Sequence, residues 1–305
     1  MGTMNRALFP KQLQDGLNTI FGLEYKRYPE EWRACFDVEN SNKAYEEDVL
    51  VVGLGPAQVK PEGGPVAKDE GGESWVSRYR NETIALAFAL TQEAEEDNLY
   101  GQLGAKYSRA LARSMQHTKE VKGASIYNNG FDAAHPGGDG VPLFSTAHPL
   151  WNGGVLSNML PTPADLSETA LEDAMIRISL FTDDRGIPTM HQARKLLVHP
   201  SNTFEASRIL KSTGRVGTSD NDNNALKTEG YLGGGVAVNH RFTDPDAWFV
   251  RTDCPDGLKH KKRIALKRGI EGDFETGNMR YKARERYTFG HTDYRGAFGS
   301  QGGGS

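Results

Sequence analysis

Asp139, Ser145 and His148 fall within one ten-residue stretch, DGVPLFSTAH, and are the residue types that run acyl transfer. A serine hydroxyl becomes a nucleophile when an imidazole accepts its proton and a carboxylate orients that imidazole. The local pattern argues against it. Ser145 is flanked by Phe144 and Thr146, with no Gly-x-Ser-x-Gly turn to raise it onto a strand-to-helix elbow. A hydrolase using Ser145 and His148 therefore stands only as an alternative. His135 and His148 are each followed by proline and share no metal-type spacing with an acid or a cysteine. The acidic and amide run Asp220–Asn224 lacks the glycine and distal glutamate of a calcium loop. Gly53-x-Gly55 runs into Pro56, which spoils a dinucleotide turn, and no phosphate-loop motif exists. The expectation is no enzyme, no metal and no cofactor.

Composition agrees. The chain has 305 residues, 37% hydrophobic and 25% charged, enough for an elaborate core or two domains. No apolar run reaches the length of a membrane span, and the N-terminus lacks the basic-then-apolar order of a secretory signal. Cys35 and Cys254 are the only cysteines, which fits a reducing compartment rather than a disulfide scaffold. Asn81-Glu82-Thr83 matches a glycosylation sequon, without consequence in a chain that is not secreted. A net charge of −4 argues against a dedicated nucleic-acid binder.

The longest element expected is a rod helix from Thr91 to about Val121. Thr91 is placed to cap it, acids crowd its first turns, and Lys119 and Lys122 complement its far end. Leu99, Leu103, Tyr107, Ala110, Leu111, Ser114, Met115 and Thr118 give it one thin seam. Before it, Asp48–Val52, a glycine-rich loop and the alternation of Trp75–Leu90 predict one long hairpin over 48–90. Residues 1–47 read either as a first layer on their own domain or as an arm with aromatic anchors for a neighbour.

After the rod, 124–158 is an irregular segment in which Asn129-Gly130 marks a turn. Block 161–254 is a compact unit with a helix capped by Ser167 and stapled by Leu166 and Leu171, strand Lys195–His199 and helix Phe204–Lys211. Residues 213–230 read as an exposed polar loop. In 255–305, eleven basic residues face six acidic ones, and Tyr281–Phe289 alternates with cations. That is a long strand with one charged face. Contact with nucleic acid is one reading of it; a face that is solvated, or paired with the acidic start of another element, is the expected one.

The rod and its exit, KYSRALARSMQHTKEVKGASIYNNGFD (106–132), the segment DGVPLFSTAHPLWNGGVLSN (139–158) and LLVHPSNTFEASRIL (196–210) resemble the major capsid protein of tailed bacteriophages. The resemblance implies an α+β fold shared with the herpesvirus shell floor. It assigns an N-terminal arm to 1–47, an extended loop to 48–90, a peripheral domain with a spine helix to 91–160 and an axial domain to 161–254. Residues 255–305 become return strands and tail. It implies a self-assembling icosahedral head shell, built of hexamers and pentamers, that encloses double-stranded DNA without reading its sequence. Portal, scaffold and decoration proteins are the implied partners, and the virion, assembled in the host cytoplasm, is the implied location. A nanocompartment shell of encapsulin type is the nearest rival. Trp32, Tyr28, Lys60, Lys68, Trp75 and Tyr79 are the expected inter-subunit contacts. Where some family members begin with a scaffolding segment, this chain begins at the arm. No lysine–asparagine cross-link is expected, since no acid is seen to drive one.

Overall fold

The computed structural model describes residues 10–91, 100–214, 223–272 and 278–303. Helix α1 spans Pro10–Tyr25 and the rod, α2, spans Tyr100–Asn128. The acids Glu93–Asp97 and Leu99 lie outside the described residues, as do residues 215–222 of the polar loop expected over 213–230. The rod ends seven residues later than the sequence suggests, and its buried seam is different: Ser108, Leu111, Ala112, Met115, Lys119, Glu120, Ala124 and Tyr127. Tyr107 and Ala110, expected on the seam, are exposed. Polar residues take their place because each is answered. Ser108 donates to the Leu17 carbonyl, and Lys119 pairs with Glu285 at 3.0 Å. Glu120 accepts the backbone N–H groups of Glu31 and Trp32 at 3.0 and 2.9 Å. Lys119 thus neutralises a buried carboxylate instead of serving the helix macrodipole.

Residues 10–40 pack much of their apolar surface on their own chain. Leu17 and Phe21 of α1 are buried against Leu111, Ala112 and Met115 of α2. A 3-10 turn, Glu31–Ala34, sinks Trp32 into the core, and strand β1, Asp37–Asn40, runs parallel to a later strand. Leu17, Phe21, Trp32, Cys35 and Phe36 are thus consumed by their own body, whereas Leu23, Tyr28 and Val38 of the same stretch stay exposed.

The predicted hairpin over 48–90 divides in two. Strands β2 (Tyr45–Val52) and β3 (Gly72–Arg80) pair with each other, with a bulge between Val49 and Val51. Strand β4 (Glu82–Leu90) turns away at Asn81, whose side chain donates to Ser41 Oγ and the Lys43 carbonyl. It joins a four-stranded sheet of order β1-β10-β11-β4, where β10 is Leu258–Gly272 and β11 Met279–His291. Alternation reveals a strand but not its partner. On one face of this sheet Tyr281, Ala283, Glu285 and Tyr287 are buried, the first two packing with α1 and α2.

After a two-residue-per-strand hairpin (β5, His148–Pro149; β6, Val155–Leu156) comes the second sheet. Its strands are β7 (Ala193–Val198), β8 (Val236–Val238), β9 (Trp248–Thr252) and β12 (Ala297–Ser300), in the order β12-β9-β7-β8. Helices α3 (Glu168–Ser179) and α4 (Thr203–Lys211) contribute to the core on one side. Ser167 caps α3 as expected, accepting from Ala170 N–H, and the staple residues Leu166 and Leu171 are both buried. Leu196, Val198, Trp248 and Val250 point into that core. Leu197 and Phe249 point the other way, into an aromatic cluster with Trp32, Phe36, Tyr127, Phe144 and Phe242. One element crosses the expected boundary: β12 belongs to this second sheet, not to the return strands.

His260 in that aromatic region lies tilted against Trp32 and Phe289, with ring centroids 4.3 and 4.6 Å apart, and neither ring nitrogen has a hydrogen-bond partner among the described residues. Burial, then the Lys119 charge, pushes its pKa down to about 3. The unfolded chain binds a proton here below about pH 6.5 and the folded one does not, so this stability is lost as pH falls from 6.5 toward 3. Glu120 acts in the opposite sense. Burial raises it to about 7, so its contribution erodes as pH rises from the ordinary carboxyl range to 7. His260→Phe removes only the histidine part. Guanidinium unfolding should place the variant about 2 kcal/mol better at pH 5, relative to wild type, than at pH 7. Parallel losses for the two proteins would show that His260 is charged or hydrated when folded.

Candidate functional site

The hydrolase residues are placed together but disarmed. His148 is fully buried, its Nδ1 2.6 Å from Asp139 Oδ2, and its ring lies flat on Tyr294 at 3.6 Å. Its Nε2, which a nucleophile would need, meets Asn158 Oδ1 at 3.1 Å. Ser145 turns its hydroxyl to the Ala147 N–H and gives its own N–H to the same Asn158 oxygen. Asn158 Nδ2 donates to the carbonyls of Leu143, Tyr294 and Ala297. That fixes Oδ1 as the acceptor and Nε2 as a donor. Asp139, His148 and Asn158 form a staple joining the irregular segment to the C-terminal block, with no hydrogen bond from the Ser145 hydroxyl to the imidazole. Among the described residues no metal-type cluster occurs.

The second assembly of unusual groups is the root of the β2–β3 hairpin. Asp48 receives Lys259 at 3.0 Å, Lys261 and the Thr292 hydroxyl. Thr292 also meets Tyr79 Oη at 2.5 Å, and its carbonyl accepts from Trp75 Nε1. Glu39 of β1 adds a carboxylate to the same two lysines, and the Lys261 ammonium lies over the Tyr79 ring. These lysines are 7% and 6% exposed, so the ion pairs are largely shielded from water and hold the hairpin rigidly at its base. Sequence reasoning sees in Asp48 only a strand start. The alternation Lys259-x-Lys261 is the available signal, since it puts two cations on one face of a strand.

Beyond the root the hairpin changes character. Val51, Leu54, Val59 and Val66 are 68, 61, 96 and 70% exposed, and Val49 and Val76 are also exposed. Gly63 adopts φ of 73°, a conformation open to glycine at little cost. Gly72 passes under Trp151, where a Cβ would sit 3.2 Å from the indole. Asp69 accepts the Gly55 N–H at 2.6 Å, and Arg185 reaches over from the turn after α3 to the Glu70 carbonyl and to Asp69 at 3.8 Å. Of the expected inter-subunit residues, Lys60, Lys68 and Tyr28 are exposed. Trp32 and Tyr79 are buried and Trp75 half-buried against Tyr294 in their own chain. Trp32 and Tyr79 are spent on the core of their own chain, since aromatic size marks a core residue as readily as an interface anchor.

A family model described as phage capsid protein matches residues 75–299. Among solved structures, the virus-like particle from Pyrococcus furiosus aligns with a TM-score of 0.53 at 11% identity, covering 94% of this chain and 98% of that one. The procapsid of bacteriophage JBD30 gives 0.51 at 17% identity, with 97% of this chain and 76% of that one covered. The capsid of Myoviridae phage XM1 gives 0.50 at 11% identity over 88 and 90%. At such identities the likeness is one of fold. No curated protein sequence matches.

Proposed function

Since the chain belongs to the phage capsid protein family, structural proteins of the capsid shell, we propose that it tiles a closed icosahedral head around double-stranded DNA. Its copies meet as hexamers and pentamers, and the β2–β3 hairpin reaches over a neighbour. The observation that carries this is the contrast along the hairpin. Its base is locked by buried ion pairs, while four large apolar side chains beyond it stand in water with no use to a lone chain. Exposed apolar surface concentrated on one projecting element is the mark of a protein contact. A closed shell needs heterologous contacts that tolerate slightly different angles. A glycine-punctuated loop on a fixed base provides that tolerance. Tyr28, Lys60 and Lys68 are the contacts retained from the sequence. A scaffold, a portal and decoration proteins complete the reading.

The double variant Val59→Asp/Val66→Asp tests it. Both sites are so exposed that folding stability should move by no more than about 0.5 kcal/mol. The expected result is a soluble subunit with unchanged melting that forms no particles in sedimentation or negative-stain images. Normal shells from this variant overturn the assignment of the hairpin.

A further inference from the structure

The long sheet has a second face, away from α1 and α2, and it is cationic. On β11 the residues between the buried ones are Arg280, Lys282, Arg284 and Arg286. Lys267 of β10 stands directly opposite Arg284 in the register. On the other flank the cross-strand neighbours of Arg280, Lys282 and Arg284 are Ala89, Ala87 and Ala85, all exposed. Tyrosines that the sequence interleaves with these cations lie on the buried face, so this is no stacking platform.

Like charges directly opposite and at alternate positions repel, and a fold retains such an arrangement against its own stability. The expected relief by acids of another element is nearly absent. Lys282 meets Glu271 in an exposed pair, but Lys267, Arg284 and Arg286 form no side-chain hydrogen bond or ion pair among the described residues. Arg286 Nε is buried with no partner among the described residues.

We infer that this face binds the phosphate backbone of duplex DNA without regard to sequence. Alternate residues of a strand advance about 7 Å, so the row from Arg280 to Arg286 spans about 20 Å. Over that length a duplex presents about twelve phosphates. The alanines make the face flat and leave out the aromatic or aliphatic anchor on which a protein partner depends. A short row of cations with no groove-reading side chains means weak binding, compatible with a net charge of −4 and with DNA that must move while it is packed. The inference takes only the identity of the polyanion from the shell reading.

The test is fluorescence anisotropy of a 30-base-pair duplex titrated with the full-length unassembled subunit at several salt concentrations. Removing three phosphate-facing cations in Lys267→Gln/Arg284→Gln/Arg286→Gln should lower the slope of log K against log salt by about 2.7. Affinity at low salt should drop at least tenfold. Ala85→Glu, which puts an acid beside Arg284 without touching the core, should weaken binding in the same direction. Unchanged binding and slope in both variants overturn the inference. So does a triple variant that binds DNA like wild type but no longer forms shells, since the face then belongs to an acidic surface of a neighbouring copy. Wild-type shell formation, scored separately, tests the shell reading alone, and its failure leaves the DNA result standing.

Discussion

Asn158→Ala should lose about 3–5 kcal/mol of stability, from a change of a few atoms in one side chain. Asn158 is fully buried, and its amide donates to three carbonyls at 2.7, 3.1 and 3.2 Å. Its oxygen takes the Ser145 N–H and His148 Nε2. Truncation strands up to five polar groups at once, and each unanswered buried group costs about 1–3 kcal/mol, less where water can enter. Asn158→Asp separates the two halves of the role. It keeps the acceptor side and turns an oxygen toward three carbonyls, so it should be no milder than alanine. Guanidinium unfolding of the unassembled subunit measures both. A loss under about 1 kcal/mol for both variants would mean that the surrounding loops close over the gap, and that the staple is not structural. Ser145→Ala, by contrast, should leave stability and assembly intact, because the serine hydroxyl engages only a neighbouring backbone N–H.

The second large effect concerns Arg295, which is 3% exposed. Its guanidinium spans Asp184 at 3.0 Å and Asp293 at 3.2 Å, and its Nε donates to the Thr182 carbonyl. Burial works against its charge, but the facing carboxylates, Asp293 foremost, hold its pKa above the ordinary arginine value. Arg295→Met leaves two buried carboxylates facing each other, a loss of about 3–5 kcal/mol. The informative comparison is Arg295→Met with Asp184→Asn and Asp293→Asn together. Removing all three charges should restore much of the loss, because the cost lies in orphaned charge rather than in a missing attraction. No recovery in the triple variant would shift the explanation to packing of the guanidinium over Tyr294, whose ring it covers at 4.8 Å.

The architecture is legible in the sequence where local rules act alone. The Ser167 cap and its staple, the strand and helix at 193–211 and the alternation in β11 all follow from spacing and turn chemistry. It is less legible where a distant residue decides. The rod's seam is misplaced at Lys119 and Glu120 because hydrophobic periodicity scores a buried charge as a solvent-facing one. Only Glu285 and the Glu31 and Trp32 amides, far away in the chain, make those positions interior. The same limit explains the hairpin: β4 alternates as well as β3 does, and nothing local says that its partner is β11. The Asp139–His148 pair is visible as chemistry, but Asn158, which converts it from a reactive arrangement into a structural one, carries no motif. Aromatics in the first 47 residues and at the hairpin root look, by type alone, like anchors for another chain. Four packing partners supplied later in the sequence, His260, Phe289, Thr292 and Tyr294, keep Trp32, Phe36, Trp75 and Tyr79 at home.

Strand β12, residues 297–300, completes the second sheet by pairing with β9, and β11 is an inner strand of the first. During synthesis, therefore, neither sheet can close until the segment from Met279 through Ser300 has emerged, though α1, α2 and the hairpin are made long before. A polypeptide still on the ribosome holds its projecting element with no finished body behind it. On the shell reading proposed above, a chain becomes ready to join a particle only once this segment has been made.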